Sequence, residues 1–301
     1  MKDQSRVVRQ SLHRYATVTT AMVFLLLIAG GLVTSTDSGL AVPDWPLSYG
    51  TWFPPLVGGI LFEHGHRVIA GVVGLMILVL AGWLWRAEPR AWVRRLGYVA
   101  LAAVILQALL GGLTVLLLLP PQVSIAHACL GPSVLCLVVC LAWATAPGWA
   151  DDPVRIEDRG VPSLRALGMG VAWLAALQLL LGAVIRHTGS AVWPHLAGAV
   201  ALVAAVVWFG RRVKRWRPSE PGWRHHVIRL HALLGTQIVL GGLVLAHRSA
   251  VALRTAHVAI GALVLAQAVL LAWETIRRTA PTAAIVPERF VSAPTQERAT
   301  P

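Results

Sequence analysis

"QALLGGLTVLLLLPPQVSIAHACLG" runs from Gln107 to Gly131, and "QIVLGGLVLAHRSAVALRTAHVAIG" runs from Gln237 to Gly261. Both open with Q-x-x-L-G-G, place a histidine 20 residues after the glutamine, and close with H-x-x-x-G. Each stretch holds the end of one apolar run, a short break and the start of the next. The start of the pattern recurs as "QLLLGA" at Gln178–Ala183, and "TSTDSG" (Thr34–Gly39) aligns with "RHTGSA" (Arg186–Ala191). From His66 to His195 is 129 residues and from His127 to His257 is 130, so the chain reads as two copies of one unit.

The runs that carry this repeat are long enough to cross lipid. Eight of them, each roughly 20 residues, fall near 16–34, 66–85, 97–119, 124–146, 165–185, 191–209, 227–246 and 252–273. The chain of 301 residues is 56% hydrophobic and only 13% charged, which excludes a soluble domain. Backbone groups in lipid must pair internally, which leaves helices or a closed barrel, and runs of this length are helices. The expected fold class is an all-α integral membrane protein whose eight transmembrane helices form two parallel-repeat four-helix bundles. Residues 1–150 form the first and 151–278 the second, followed by a disordered tail over 279–301. The basic segment Met1–Tyr15 leads into a retained first helix rather than a cleaved signal peptide. Cys129, Cys136 and Cys140 all lie in the fourth run and read as packing residues.

The net charge of +13 is distributed by side. With the N-terminus in the cytoplasm, the inner segments hold 22 Lys and Arg, and the outer side holds four: Arg67, Arg186, Arg248 and Arg254. That asymmetry fixes the orientation, with both termini cytoplasmic in a cell membrane. The run "RRVKRWRP" (Arg211–Pro218) is then a loop facing lipid headgroups rather than a nucleic-acid site.

In this orientation every even-numbered helix begins outside, and each begins with a histidine: His66, His127, His195 and His257. One histidine at a helix end is ordinarily a bland interfacial residue. Four at matching depth on alternate helices are not, because ionisable groups within a membrane are costly and concentrate at functional sites. Two imidazoles per bundle fit bis-histidine haem iron. Zinc asks for more ligands per site, and copper usually recruits Met or Cys. Gly30, Gly31, Gly111, Gly112, Gly182, Gly241 and Gly242 thin the odd helices at the same level, either for close packing or to clear a flat ligand.

The halves differ. Outer-side acids are Asp37, Asp44 and Glu63, all in the first half. Thr36 to His66 spans 30 residues and the aligned Thr188 to His195 spans 7, so the first half carries a 23-residue insertion rich in Pro, Trp and Gly. It is expected to form an outer lid over 35–65. Glu63, three residues before His66, is placed to act as a base or to hold water at a porphyrin edge. Arg67 is placed to pair with a propionate or with Glu63 one helical turn away.

These residues resemble the haem A synthase family over roughly 10–275. The resemblance rests on E-x-x-H-R (Glu63, His66, Arg67), "DSGLAVPDWP" (Asp37–Pro46), "LGGLTVL" with its following histidine (Leu110–His127) and "RHTG" (Arg186–Gly189). It implies an oxidoreductase that converts a methyl group of haem O to the formyl group of haem A, with water as the oxygen source. It also implies that His66, His127 and Arg67 bind the substrate haem, that Glu63 is catalytic, and that His195 and His257 ligate the iron of haem b. Membrane lipid, a haem O synthase, an unidentified electron acceptor and a second copy of the chain are the expected partners. The sequence departs from the family at Val42 and Ser48, where many members have a cysteine pair. It departs again at Thr34 and Asp37, where arginine and glycine are usual, and at Val192 and Leu196, where a second E-x-x-H-R would stand. A non-enzymatic bis-histidine b-type cytochrome and a haem chaperone or transporter are the competing readings.

Overall fold

A computed structural model describes residues 2–149, 155–158, 160–216 and 221–280. Eight helices carry the fold: α1 (Lys2–Ser35), α2 (Gly59–Ala87), α3 (Ala91–Leu116), α4 (Pro121–Thr145), α5 (Leu164–Thr188), α6 (Val192–Trp216), α7 (Pro221–Ala246) and α8 (Val251–Arg278). All eight are long and apolar enough to cross a membrane. The only strands among the described residues, β1 (Ile156–Glu157) and β2 (Thr279–Ala280), form a two-residue parallel pairing. β2 takes the first two residues of the expected tail. From 281 on, the tail lies outside the described residues.

Most helices run past their apolar cores. α2 starts at Gly59, a full turn before Glu63, so residues 59–65 are helix and the lid itself is 36–58. The early start is affordable in lipid terms because Glu63 and Arg67 neutralise each other along the helix. α3 ends at Leu116 because the chain must reverse before Pro120 and Pro121. Leu118 and Leu119 make that reversal with positive φ. Ser163 caps α5 by accepting from Ala166 N–H, and Gly189 closes it in the left-handed conformation at φ 71°.

α1–α4 contact one another in a ring, α1 on α2, α2 on α3, α3 on α4 and α4 back on α1, and α5–α8 do the same. The two rings meet where α8 packs on α1 and α4, and where α4 packs on α5. α8 is accordingly the most buried helix. Small residues bring the backbones together at these seams. A Cβ on Gly31 would meet Thr255 across the seam at 3.2 Å, and within the second ring one on Gly168 would meet Thr275 at 2.8 Å. All three cysteines are free thiols, and Cys136 belongs to the core.

Candidate functional site

The four histidines sit in one repeated environment. Each ring lies against a glycine of the preceding odd helix. The position of an added Cβ is 3.0 Å from His66 Cε1 at Gly30, 3.0 Å from His127 Cε1 at Gly111, 3.4 Å from His195 Cε1 at Gly182 and 3.2 Å from His257 Cε1 at Gly241. These glycines are therefore neither bare ligand clearance nor generic packing; they make room for the imidazoles. Their neighbours have other duties. Gly112 takes the indole of Trp45 from the lid, 2.7 Å from the Cβ position, and Gly31 takes Thr255 of the second ring. Gly242, the repeat mate of Gly112, has nothing within 4 Å, because the second half has no lid to fill it.

Four residues before three of these glycines stands a glutamine that orients the facing histidine. Gln107 Nε2 donates to His127 O at 3.0 Å, and the backbone carbonyl of Gln107 lies 3.2 Å from His127 Nδ1. Gln178, with its amide turned to suit its neighbours, donates to His195 Nδ1 at 3.1 Å and to His195 O at 3.0 Å. Gln237 Nε2 lies 3.2 Å from His257 Nε2. The equivalent place before Gly30 is Leu26; His66 Nδ1, like His257 Nδ1, has no hydrogen-bond partner. The sequence pattern contained these glutamines but gave no reason to assign them a role.

The second half brings His195 and His257 together edge-on, with ring centroids 6.5 Å apart and planes at 69°. Two imidazoles ligating one metal through Nε2 place their centroids roughly 6.4 Å apart, from two metal–nitrogen bonds of about 2.1 Å and about 1.1 Å to each ring centre. The separation thus fits a shared iron, and the two-imidazole donor set fits haem, whose porphyrin supplies the remaining nitrogens. Ligation through Nε2 requires the Gln237 amide to turn away from His257, and the Gln178 oxygen rather than its nitrogen to face His195 Nδ1, which then keeps its proton. In the first half His66 and His127 lie within electrostatic range of each other, and His187 of α5 lies within electrostatic range of His127. His187 stands outside the repeat's ligand positions, so spacing did not single it out.

Glu63 and Arg67 clasp the lid. Glu63, 4% exposed, accepts from Val42 N–H at 2.8 Å through Oε2 and from Arg67 at 2.6 Å through Oε1. Arg67 also donates to Asp44 O and Leu47 O, both at 2.6 Å. Asp44 accepts from Tyr49 and Gly50 N–H at 2.7 and 2.8 Å, and Ser48 Oγ lies 2.8 Å from His64 Nδ1. Backbone hydrogen bonds, first that from Gly50, hold the Asp44 carboxyl below the ordinary 3.8, assisted by the charge of Arg67. Val42 and Ser48 are both fully buried in this clasp. His64 is one of its hydrogen-bonding members. Among the described residues, no three His, Cys, Asp or Glu side chains come together as a metal cluster.

Comparison with known proteins gives a consistent result. A family profile, COX15-CtaA, described as cytochrome oxidase assembly protein, matches residues 13–58 and 59–193. The chain is 31% identical over 200 residues to the heme A synthase of Symbiobacterium thermophilum, covering 63% of this chain and 65% of that one. To the heme A synthase of Geobacillus kaustophilus it is 26% identical over 199 residues, covering 63% and 62%. These matches therefore span less than two thirds of the relatives' own lengths. A longer match, 25% identical over 322 residues, covers 95% of this chain and 99% of the heme A synthase of Geobacillus thermodenitrificans.

Proposed function

The chain belongs to the COX15-CtaA family of cytochrome oxidase assembly proteins, and from that premise we propose that it is a haem A synthase. The substrate would be haem O and the product haem A. Conversion of a methyl to a formyl group with water as the oxygen source takes up one water and releases four electrons and four protons. The electrons leave to an acceptor outside the chain, and a haem O synthase in the same membrane supplies the substrate. The observation that carries the reading is the asymmetry between two otherwise equivalent histidine sites. Both have paired imidazoles seated on glycines, and one alone has a buried carboxylate and a lid.

In this reading the two rings of helices are parallel copies of one bundle. His66 and His127 flank the substrate haem, and His195 with His257 hold haem b. When bound there, haem b supplies a one-electron centre beside the substrate. Glu63 keeps lone pairs beyond the two that hold Val42 and Arg67, enough to accept a proton from water at the substrate edge. Arg67 acts on the substrate through the lid, since Glu63, Asp44 and Leu47 already take its donors. The lid and Trp45 exclude bulk water from that half. The histidine end faces the outside of the plasma membrane, as the charge asymmetry requires. Both histidine pairs then lie near one surface, which leaves no second station for a cytochrome carrying electrons across the bilayer.

The test is haem analysis after expression with a haem O synthase in a host lacking haem A. The wild type is expected to yield haem A. Glu63→Ala is expected to retain haem b and accumulate haem O. Haem O alone from folded, haem-loaded wild type would refute the activity, and normal haem A from Glu63→Ala would remove Glu63 from the chemistry.

A further inference from the structure

Two arginines at the junction of the rings have no acidic partner. Arg186 lies in the last turn of α5, and its Nη2 donates to Gly31 O and to Ser35 Oγ of α1, both at 2.9 Å. Arg254 lies in the first turn of α8, with Nη1 3.4 Å from Ser35 O. Thr255 Oγ1 donates to Ser35 Oγ at 3.1 Å, and both hydroxyl residues are buried. Two guanidinium groups from different helices thus converge on one serine at the histidine end. Arg67, the other arginine in a membrane helix at this end, has Glu63 as its ion pair. Arg186 and Arg254 make no ion pair among the described residues; the exposed Asp37 acts on Arg186 only through space.

Like charges held together at membrane depth are costly, and such groups persist where an anion completes them. Each arginine has donors beyond those already used, arranged to receive a carboxylate in a two-point hydrogen bond. Their position selects the anion. Arg254 is three residues before His257, on the same side of α8, and Arg186 lies within electrostatic range of His257. α5, which carries Arg186, packs on both α6 and α8, the helices of the facing histidines.

We propose that Arg186 and Arg254 form a clamp for the carboxylates of the tetrapyrrole whose iron His195 and His257 hold. The proposal rests on the haem reading of that histidine pair and adds a determinant of which tetrapyrrole binds. The second half has an arginine at 186 where the aligned position of the first half is Thr34. A lipid phosphate offers similar anionic oxygens, but it would not be tied to the histidine pair.

The experiment titrates the purified full-length protein, stripped of bound haem, with protohaem and separately with protohaem dimethyl ester, which lacks carboxylates. The bis-imidazole absorption bands are followed, in the wild type, Arg254→Gln and Arg186→Gln/Arg254→Gln. First-half binding is removed from all three by a His66→Ala/His127→Ala background. The wild-type clamp should favour the free acid about tenfold over the ester, equivalent to about 1.4 kcal/mol. The double variant should bind both about equally, with ester affinity unchanged, which also shows that the bundle remains folded. Equal affinity for acid and ester before the arginines are changed would overturn the clamp while leaving the haem reading intact. An acid preference that survives in the double variant, with phospholipid phosphate lost from the purified protein, would make the arginines a lipid site and also overturn it. Absence of bis-imidazole bands with either ligand would overturn the haem reading itself.

Discussion

At the scale of single residues, the site depends on missing Cβ atoms. Gly111 and Gly30 leave 3.0 Å between the Cβ position and the Cε1 of His127 and His66, and Gly241 leaves 3.2 Å for His257. Gly182 leaves an ordinary 3.4 Å for His195. Alanine at 111 or 241 should push the imidazole off its helix and reduce bis-imidazole haem per protein severalfold, whereas Gly182→Ala should retain it. Absorption spectra of the three purified variants check this, and equal loss in all three would deny the glycines their role as ring seats. Asp44 gives a second residue-scale expectation. Its carboxyl is held below the ordinary 3.8, first by the Gly50 backbone, so the stabilisation it gives the lid is fully present above that value. It is lost as pH falls through the lowered value of the folded state. Hydrogen exchange at the Tyr49 and Gly50 amides should therefore quicken, relative to intrinsic rates, below about pH 4. In Asp44→Ala it should be fast at every pH.

At the scale of the element, the end of α1 shows what a repeat preserves and what it relinquishes. Asp37 and Gly189 are aligned positions just beyond α1 and α5, and both are left-handed, at φ 54° and 71°. Glycine adopts this geometry freely, while aspartate pays about 1 kcal/mol or more for it. Asp37→Gly should raise the thermal unfolding midpoint in detergent by a few degrees; an unchanged or lower midpoint would mean that the Asp37 charge near Arg186 outweighs the strain. The helices themselves were legible in the sequence because lipid permits little else for apolar runs of that length. Their ends were less so. α2 begins about two turns before its apolar run because Glu63 and Arg67 satisfy each other, a contact between side chains that hydropathy does not register. The lid was legible as an insertion present in one half. Its clasp was not, since Arg67 binds the carbonyls of Asp44 and Leu47 and Glu63 binds the Val42 amide, and backbone groups carry no residue signature. The glutamines at 107, 178 and 237 were visible as a motif, but their contacts with histidine require the helices to be packed.

At the scale of the whole molecule, α8 joins the two rings, and its two ends do different work. Near one end His257 faces His195. Near the other, Glu274 is buried and receives Trp143 Nε1 at 2.9 Å, Arg277 at 2.9 Å and Arg278 at 2.6 Å. This ties α4 of the first ring to α8 of the second. Glu274→Ala leaves two cations and an indole without their acceptor and should cost about 3 kcal/mol. Unfolding monitored by circular dichroism should show the loss, with the haem spectrum of the folded fraction unchanged. The 129- and 130-residue offsets between histidines made an expectation of two units legible. The seam between the halves was not, because Ser35, Arg186 and Thr255 meet only after both rings have formed. Haem content in two double variants bears on everything built upon the histidines. Loaded wild-type protein should show two bis-imidazole haems; His195→Ala/His257→Ala should lose haem b alone, and His66→Ala/His127→Ala should lose the other haem alone. If both double variants keep the full wild-type spectrum, the imidazoles do not hold iron and the assignment of both sites is wrong.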